Sequence, residues 1–125
     1  MSGLIQKLGQ VALPVRDLNR AIAFYRDVLG LRFIWSNSNL AFFQMHETRL
    51  LLEIPEAPEF DHPGSVLYFA VADIDEAIHH LKDRGLAFDD DPHHIGDLGE
   101  VAVWMTFFHD TEGNVLALQC EQPTH

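Results

Sequence analysis

The chain has 125 residues, of which 47% are hydrophobic, and it carries a formal net charge of −11 at pH 7. A chain of this length can bury a core without metal or disulfide support, and its single cysteine, Cys120, excludes an internal disulfide. The acidic balance argues against binding to nucleic acid or to anionic membrane surfaces, since both need basic patches on the protein. Without a membrane-spanning apolar run or a signal-peptide pattern, the sequence predicts a cytoplasmic protein.

Residues 10–33 predict a strand, a helix and a second strand. Apolar residues alternate over residues 10–15, which is typical of a strand with one buried face. Asp17 stands where a helix N-cap is expected, and apolar residues follow it at helical spacing. Gly30 comes just after the last of them, where a left-handed residue commonly ends a helix. The strands predicted to complete this stretch cover residues 32–36, 40–45 and 49–54.

Residues 66–88 repeat the same pattern. Asp17 aligns with Asp73 and, after a one-residue deletion, Gly30 aligns with Gly85. The strands that follow the two copies are also alike in sequence. Because the caps, helix terminators and hairpins all match, the sequence predicts an α+β fold made of two tandem βαβββ modules.

Two connections separate these elements within a single domain, residues 1–125. Residues 55–64 hold three prolines and a glycine, and we expect a linker without regular structure there. Residues 89–99 form a longer and more polar connection, either a solvated loop or a mobile lid over a pocket. Module 1 is expected at about residues 8–54 and module 2 at about residues 65–121. The last two strands of module 2 are predicted over residues 100–109 and 115–120.

Side-chain alternation divides the first strand of each module into two faces. The more apolar set in module 1 includes Leu13 and Val15, and it belongs under the helix. The other set should line a concavity, and a mostly apolar surface with a few polar groups suits a small-molecule ligand. The residues predicted to contact such a ligand are Gln10, Phe42, Tyr68, Met105 and Phe107.

Two stretches carry a resemblance to a known family. Residues 15–33, VRDLNRAIAFYRDVLGLRF, resemble the opening module of the vicinal oxygen chelate superfamily. Residues 107–118, FFHDTEGNVLAL, resemble its closing hairpin, with Thr111 where proline is usual. This superfamily includes glyoxalase I, bleomycin-resistance proteins and extradiol dioxygenases. The resemblance implies an eight-stranded, cup-shaped sheet with the helices outside, and a homodimer, but no particular reaction, because such folds host many.

Enzymes of that superfamily usually hold a divalent metal with side chains from the first and fourth strands of each module. Carried onto this sequence, the resemblance implies four positions, two of which, Val66 and Ala117, cannot bind a metal. Gln10 is an acceptable ligand type at the third. Glu53 occupies the fourth in one alignment, but a one-residue shift would turn Leu52 to the cup instead and leave Glu53 as a strand-end carboxylate. We therefore expect the family metal site to be largely lost, with no cofactor bound.

Histidines could rebuild a site elsewhere. His93 lies within the 89–99 connection, and we select it, with Glu53, as a candidate general acid or base or ligand contact. Solvent exposure is the alternative for each histidine. The others are expected in connections, on a helix surface, at strand ends or in the tail: His46, His62, His79, His80, His94, His109 and His125.

Two functional hypotheses follow. The first is a metal-free protein of the bleomycin-resistance kind that binds a small organic molecule, cationic or neutral because the chain is acidic. The second is a lyase of the lactoylglutathione type, an isomerase or a dioxygenase-like enzyme. That enzyme would use Zn, Ni, Mn or Fe at a rearranged site formed by Gln10, Glu53 and His93.

Overall fold

The computed structural model describes residues 3–123, so the tail histidine His125 lies outside the described part of the chain. The chain forms two compact units, one after the other in sequence, and the boundary between them lies between Gly64 and Ser65. No helix within residues 3–123 is both long enough and apolar enough to cross a membrane.

The first unit is a four-stranded sheet with its helix on one face. The strand order is β1-β4-β3-β2, with β1 parallel to β4 and the other neighbours antiparallel. The helical segment connects β1 to β2, and the ring of Tyr25, in the π-helical turn that ends this segment, lies 6.0 Å from that of Phe43. The elements are β1 (Gln10–Pro14), α1 (Leu18–Ala23), β2 (Arg32–Ser36), β3 (Leu40–Met45) and β4 (Thr48–Glu53).

The second unit repeats this topology in the order β5-β8-β7-β6, again with one parallel pair, β5 and β8. Strands β7 and β8 each have nine residues, whereas β3 and β4 have six. The elements are β5 (Leu67–Ala70), α2 (Ile74–Asp83), β6 (His93–Leu98), β7 (Val101–His109) and β8 (Val115–Pro123).

Equivalent aromatic pairs confirm the prediction of two tandem modules in an α+β fold. The rings of Phe33 and Phe43 lie 5.6 Å apart at 70° in the first unit. Those of Phe88 and Phe108 lie 5.6 Å apart at 72° in the second. Both pairs join the segment after the helix to the third strand of the module, which is the alignment that the sequence repeat requires.

The helix caps were also predicted correctly. Asp17 accepts a hydrogen bond from the backbone N–H of Arg20 at 3.1 Å, and Asp73 accepts one from that of Glu76 at 3.1 Å. Gly30 and Gly85 have φ values of 75° and 94°, so each ends its helix in the left-handed region that side chains disfavour.

Three local predictions were wrong or incomplete. The polar connection 89–99 contains the edge strand β6, so neither a plain loop nor a lid describes it. The first helix does not stay regular but continues as a π-helical turn over Phe24–Val28, where the N–H of Leu29 donates to the carbonyl of Phe24 at 3.0 Å. The linker includes a 3-10 turn at Pro58–Phe60, where a proline begins the turn as its fixed φ permits.

Candidate functional site

The register of β4 shows which side chains of the first sheet face away from the helix. Leu50 and Leu52 are fully buried, and Leu50 pairs with Phe43, which packs against the helix. Side chains alternate along a strand, so Arg49 and Glu53 lie on the opposite face, called the open face below. The alternative left by the sequence is thereby decided in favour of Glu53 over Leu52.

The same register does not bring Gln10 and Glu53 together, although both lie on the open face. Gln10 is opposite Arg49, whereas Glu53 is opposite Pro14. Four residues of strand separate the two positions, which is about 13 Å at roughly 3.3 Å per residue. Ligand oxygens bind divalent cations at about 2.0–2.6 Å, so side chains that leave the sheet this far apart are poorly placed to share one ion, and Gln10 has a guanidinium as its strand neighbour.

The other family positions offer no replacement ligands. Val66 is an exposed aliphatic residue, and Ala117 is buried between its partners Tyr68 and Phe107. Within residues 3–123 no three His, Cys, Asp or Glu side chains are grouped so that they could hold a metal ion. The residues present at the family positions therefore do not fit a divalent metal.

An aromatic pair with a neighbouring cation lies on the open face of the first unit. The rings of Trp35 and Phe42 stack with centroids 6.3 Å apart and planes at 29°. The guanidinium carbon of Arg49 lies 5.8 Å from the centroid of Phe42. Trp35 is 51% exposed, and within residues 3–64 no carboxylate forms an ion pair with Arg49. These three residues are called the Trp35 cluster below.

A β-bulge explains why sequence reasoning missed Trp35. The pairing of β2 with β3 shifts between Phe33 and Trp35, so that Trp35 pairs with Phe42 rather than with a residue under the helix. Strict alternation from Phe33 would have buried Trp35 beneath the helix, and no residue in the stretch signals the bulge. Arg49 was missed for a simpler reason, since exposed arginines on strands are usually solvated.

The face of the second sheet away from α2 carries the other predicted contacts. Tyr68 pairs with Ala117, and its ring lies 6.1 Å from that of Phe107 in an edge-to-face arrangement. Tyr68 is 47% exposed, while Phe107 and Met105 are partly exposed. The structure thus places these side chains on one face, and their role in binding remains a prediction.

His93 lies in β6, opposite Met105, and pairs with a carboxylate. Its Nε2 is 2.8 Å from Oδ2 of Asp90, whose Oδ1 accepts a hydrogen bond from the buried Thr106 hydroxyl at 3.3 Å. The hydrogen bond with His93 is the main reason that the pKa of Asp90 is lowered. A carboxylate that orients an imidazole is an arrangement that a general base can use, and the catalytic role of His93 remains a prediction.

Both units have the same strand order and the same βαβββ succession of elements. The chain is therefore a protein of the class built from paired βαβββ modules. The family model for the Glyoxalase/Bleomycin resistance protein/Dioxygenase superfamily matches residues 7–118. The chain belongs to that superfamily.

Individual relatives agree with this assignment. Protein YraH of Bacillus subtilis (strain 168) is 28% identical over 126 residues, which cover 90% of this chain and 96% of YraH. The fold is similar to that of lactoylglutathione lyase from Agrobacterium tumefaciens, with a TM-score of 0.76, 24% identity, and coverage of 92% of this chain and 93% of the other. TnmS3, an antibiotic binding protein from Streptomyces sp. CB03234, gives a TM-score of 0.74, 24% identity, and coverage of 98% and 100%.

Proposed function

We propose that this protein binds a small, planar organic molecule on the open face of its first unit, through the Trp35 cluster. The observation that carries the proposal is the half-exposed Trp35 ring stacked on Phe42 beside an arginine without an ion-pair partner in that unit. A flat aromatic ligand would stack on the indole and place a polar group at Arg49.

The exposure of Trp35 favours a binding role over a purely structural one. Aromatic side chains stabilise a fold mainly by removing 150–250 Å² from water, and Trp35 forgoes about half of that gain. An exposed, rigid aromatic surface instead offers contact area at low conformational cost to a ligand. The fold also accommodates binding proteins, since TnmS3, a structural neighbour, is an antibiotic binding protein.

The local charge at the cluster determines which polar group the ligand carries. The net charge of −11 favours cationic or neutral ligands at long range, but salt screens such fields within about 8 Å under physiological conditions. At contact distance the guanidinium of Arg49 dominates, and its fork of N–H donors matches a carboxylate or a pair of carbonyl oxygens. We therefore expect a planar ligand with an acidic or strongly accepting substituent.

The alternative of a metal-dependent lyase, isomerase or dioxygenase-like enzyme has less support. It would need Gln10 and Glu53 to converge on an ion, and the strand register holds them apart. Similarity of fold to a lactoylglutathione lyase does not transfer its reaction to this chain.

Binding can be tested by fluorescence excited at a wavelength where tyrosine absorbs little, because the chain has two tryptophans and Trp104→Phe leaves Trp35 as the sole tryptophan. We expect saturable quenching by 2-naphthoate and weaker quenching by its uncharged amide, 2-naphthamide. Saturating ligand should also raise the melting temperature, since ligand at 100 times its Kd stabilises a protein by about 2.7 kcal/mol.

Two variants show whether the cluster is responsible. Phe42→Ala should weaken naphthoate binding, and Arg49→Gln should remove the preference for naphthoate over the amide. Arg20→Gln, an exposed arginine on α1, is the matched control and should change neither result. Equal affinity for naphthoate in the Arg49→Gln and Arg20→Gln variants would overturn the proposal, as would a failure of both compounds to quench.

Cytoplasmic location and a homodimer belong to the same proposal. Light scattering of the purified protein, whose chain mass is 14.2 kDa, tests the dimer directly.

A further inference from the structure

A groove of about 230 Å³ lies on the α2 side of the second sheet. Trp104 alternates with Met105, and its register partner Cys120 is buried, with its Sγ 3.3 Å from the carbonyl oxygen of Ala72 just before α2. The groove is therefore separate from the surface that carries Tyr68. Its lining consists of Ile74, Asp75, Pro92, Trp104 and Gln122.

The part of β7 that carries Trp104 has no counterpart in β3. In the repeat, Thr106 aligns with Ala41, the second residue of β3. Strand β7, in contrast, begins five residues before Thr106, at Val101. Trp104 lies on this extension of β7, and β6 pairs with the same extension and with no other strand of the described chain. The first unit completes its βαβββ topology with a β3 that starts at Leu40, so the fold itself does not require an aromatic side chain at position 104.

Trp104 forms a fixed aromatic wall. The ring of His94 lies 5.3 Å from the indole at an angle of 32°, and Nε2 of His94 is 2.9 Å from Oδ1 of Asp97. One side of the indole is thus held by an imidazole that is itself anchored by a carboxylate. Trp104 is only partly exposed, and its remaining surface contributes to the groove.

The polar groups of the groove attract positive charge. Asp75 is exposed, and within residues 65–123 no Lys, Arg or His forms an ion pair with it. The N-terminus of α2 contributes about half a positive charge, but Asp73 caps it and Asp75 and Glu76 lie in its first turn. The carboxylates outweigh the helix dipole, and Gln122 adds a side-chain amide to the lining.

We propose that this groove binds a small organic ammonium group. Tryptophan is the best aromatic partner for such cations, and a facing carboxylate adds charge attraction. The volume is below the roughly 300–1,000 Å³ of sites for drug-sized ligands, which limits the ligand to a head group such as trimethylammonium or a short alkylammonium. This inference does not depend on the Trp35 cluster.

The test uses choline and its uncharged isostere 3,3-dimethyl-1-butanol at constant ionic strength. The Trp35→Phe variant leaves Trp104 as the sole tryptophan, so its emission and its indole N–H resonance report on the groove alone. Choline should give a saturable change in both signals, with backbone shifts concentrated at Ile74, Asp75 and Gln122. The isostere should bind at least several-fold more weakly, and methanesulfonate should give no change.

Asp75→Asn keeps the shape of the groove and should weaken choline binding about 5- to 10-fold, the loss expected for one contact of about 1–1.4 kcal/mol. Asp83→Asn removes an equivalent charge at the other end of α2 and is the matched control. Choline shifts spread over the acidic surface, equal binding of choline and its isostere, or equal affinities in the two variants would each overturn the proposal.

Discussion

Gln10 and Arg49 lie directly opposite each other in the parallel pairing of β1 with β4, on the open face of the first sheet. The guanidinium of Arg49 therefore occupies the position on β4 where a second ligand to a Gln10-bound ion would have to lie. Glu53 is opposite Pro14, four positions farther along. The chain retains the fold of its superfamily, but in this pair of strands Gln10 has Arg49, and not a carboxylate, as its nearest neighbour.

Metal analysis of protein purified without a histidine tag should find no stoichiometric Ni, Zn, Mn or Fe. Glu53→Ala should leave both the metal content and the melting temperature nearly unchanged, because Glu53 is a strand-end carboxylate. One ion per chain that disappears in Glu53→Ala would contradict the separation of Gln10 from Glu53.

Phe42 and Phe43 are adjacent but should respond differently to truncation. Phe43 is fully buried, so Phe43→Ala should lower the free energy of unfolding by about 3–5 kcal/mol. Phe42 is partly exposed on the open face, and Phe42→Ala should cost about 1 kcal/mol while reducing ligand binding. Urea denaturation measures both, and equal losses would show that the faces are wrongly assigned.

The turn after β7 should be stabilised by Thr111→Pro. Asp110–Gly113 form a β-turn in which the N–H of Gly113 donates to the carbonyl of Asp110 at 3.3 Å, and Thr111 is at its second position, where proline is favoured. The Thr111 hydroxyl is buried without a hydrogen-bond partner among the described residues. We expect a gain of about 0.4–1 kcal/mol from the stiffer unfolded chain, measured by thermal unfolding.

Glu112→Pro is the matched control for that prediction. The N–H of Glu112 donates to Oδ1 of Asp110 at 2.8 Å, so proline there removes a hydrogen bond and should destabilise the protein. A loss of stability in Thr111→Pro as well would mean that the backbone at this position cannot accept proline.

Acid should weaken the protein partly through Asp90. Its pKa is lowered, mainly by the hydrogen bond with His93, so the folded state binds this proton less readily than the unfolded chain. That contribution is complete above the ordinary aspartate pKa of about 4 and is lost as the pH falls through the lower folded value. In Asp90→Asn, stability should therefore fall less steeply below about pH 4.

Asp91→Asn controls for the loss of one negative charge in the same segment. Urea denaturation at several pH values between about 2 and 5 compares the three proteins over the range where aspartate titrates. If the free energy of unfolding depends on pH equally steeply in both variants and in the original protein, Asp90 does not contribute to the acid sensitivity.

Much of the fold could be predicted because the repeat carries its own checks. Capping residues and terminal glycines recur at Asp17, Asp73, Gly30 and Gly85, and each signal has a local physical cause. Strand β6 escaped prediction because the sequence HHIGDL is polar, lacks alternation and contains a bulge between His94 and Gly96. An edge strand that pairs with one neighbour needs little apolar surface, so its sequence resembles a loop.

The candidate site could be predicted only in part. Alternation was enough to place Phe42, Tyr68 and Phe107 on faces away from the helices. It could not find Trp35, whose orientation depends on a bulge, or the neighbour of Gln10, which depends on how β4 aligns with β1. Such registers arise from pairing between strands that are distant in sequence, and a single strand does not encode them.

The most direct test is a two-dimensional NMR titration of the isotope-labelled protein with 2-naphthoate. We expect the largest shifts at the Trp35 indole N–H and at the backbone amides of Phe42 and Arg49, with saturation in the original protein and loss of affinity in Arg49→Gln. Saturable shifts confined to other residues, or affinity that is unchanged in Arg49→Gln, would contradict a ligand site at the Trp35 cluster.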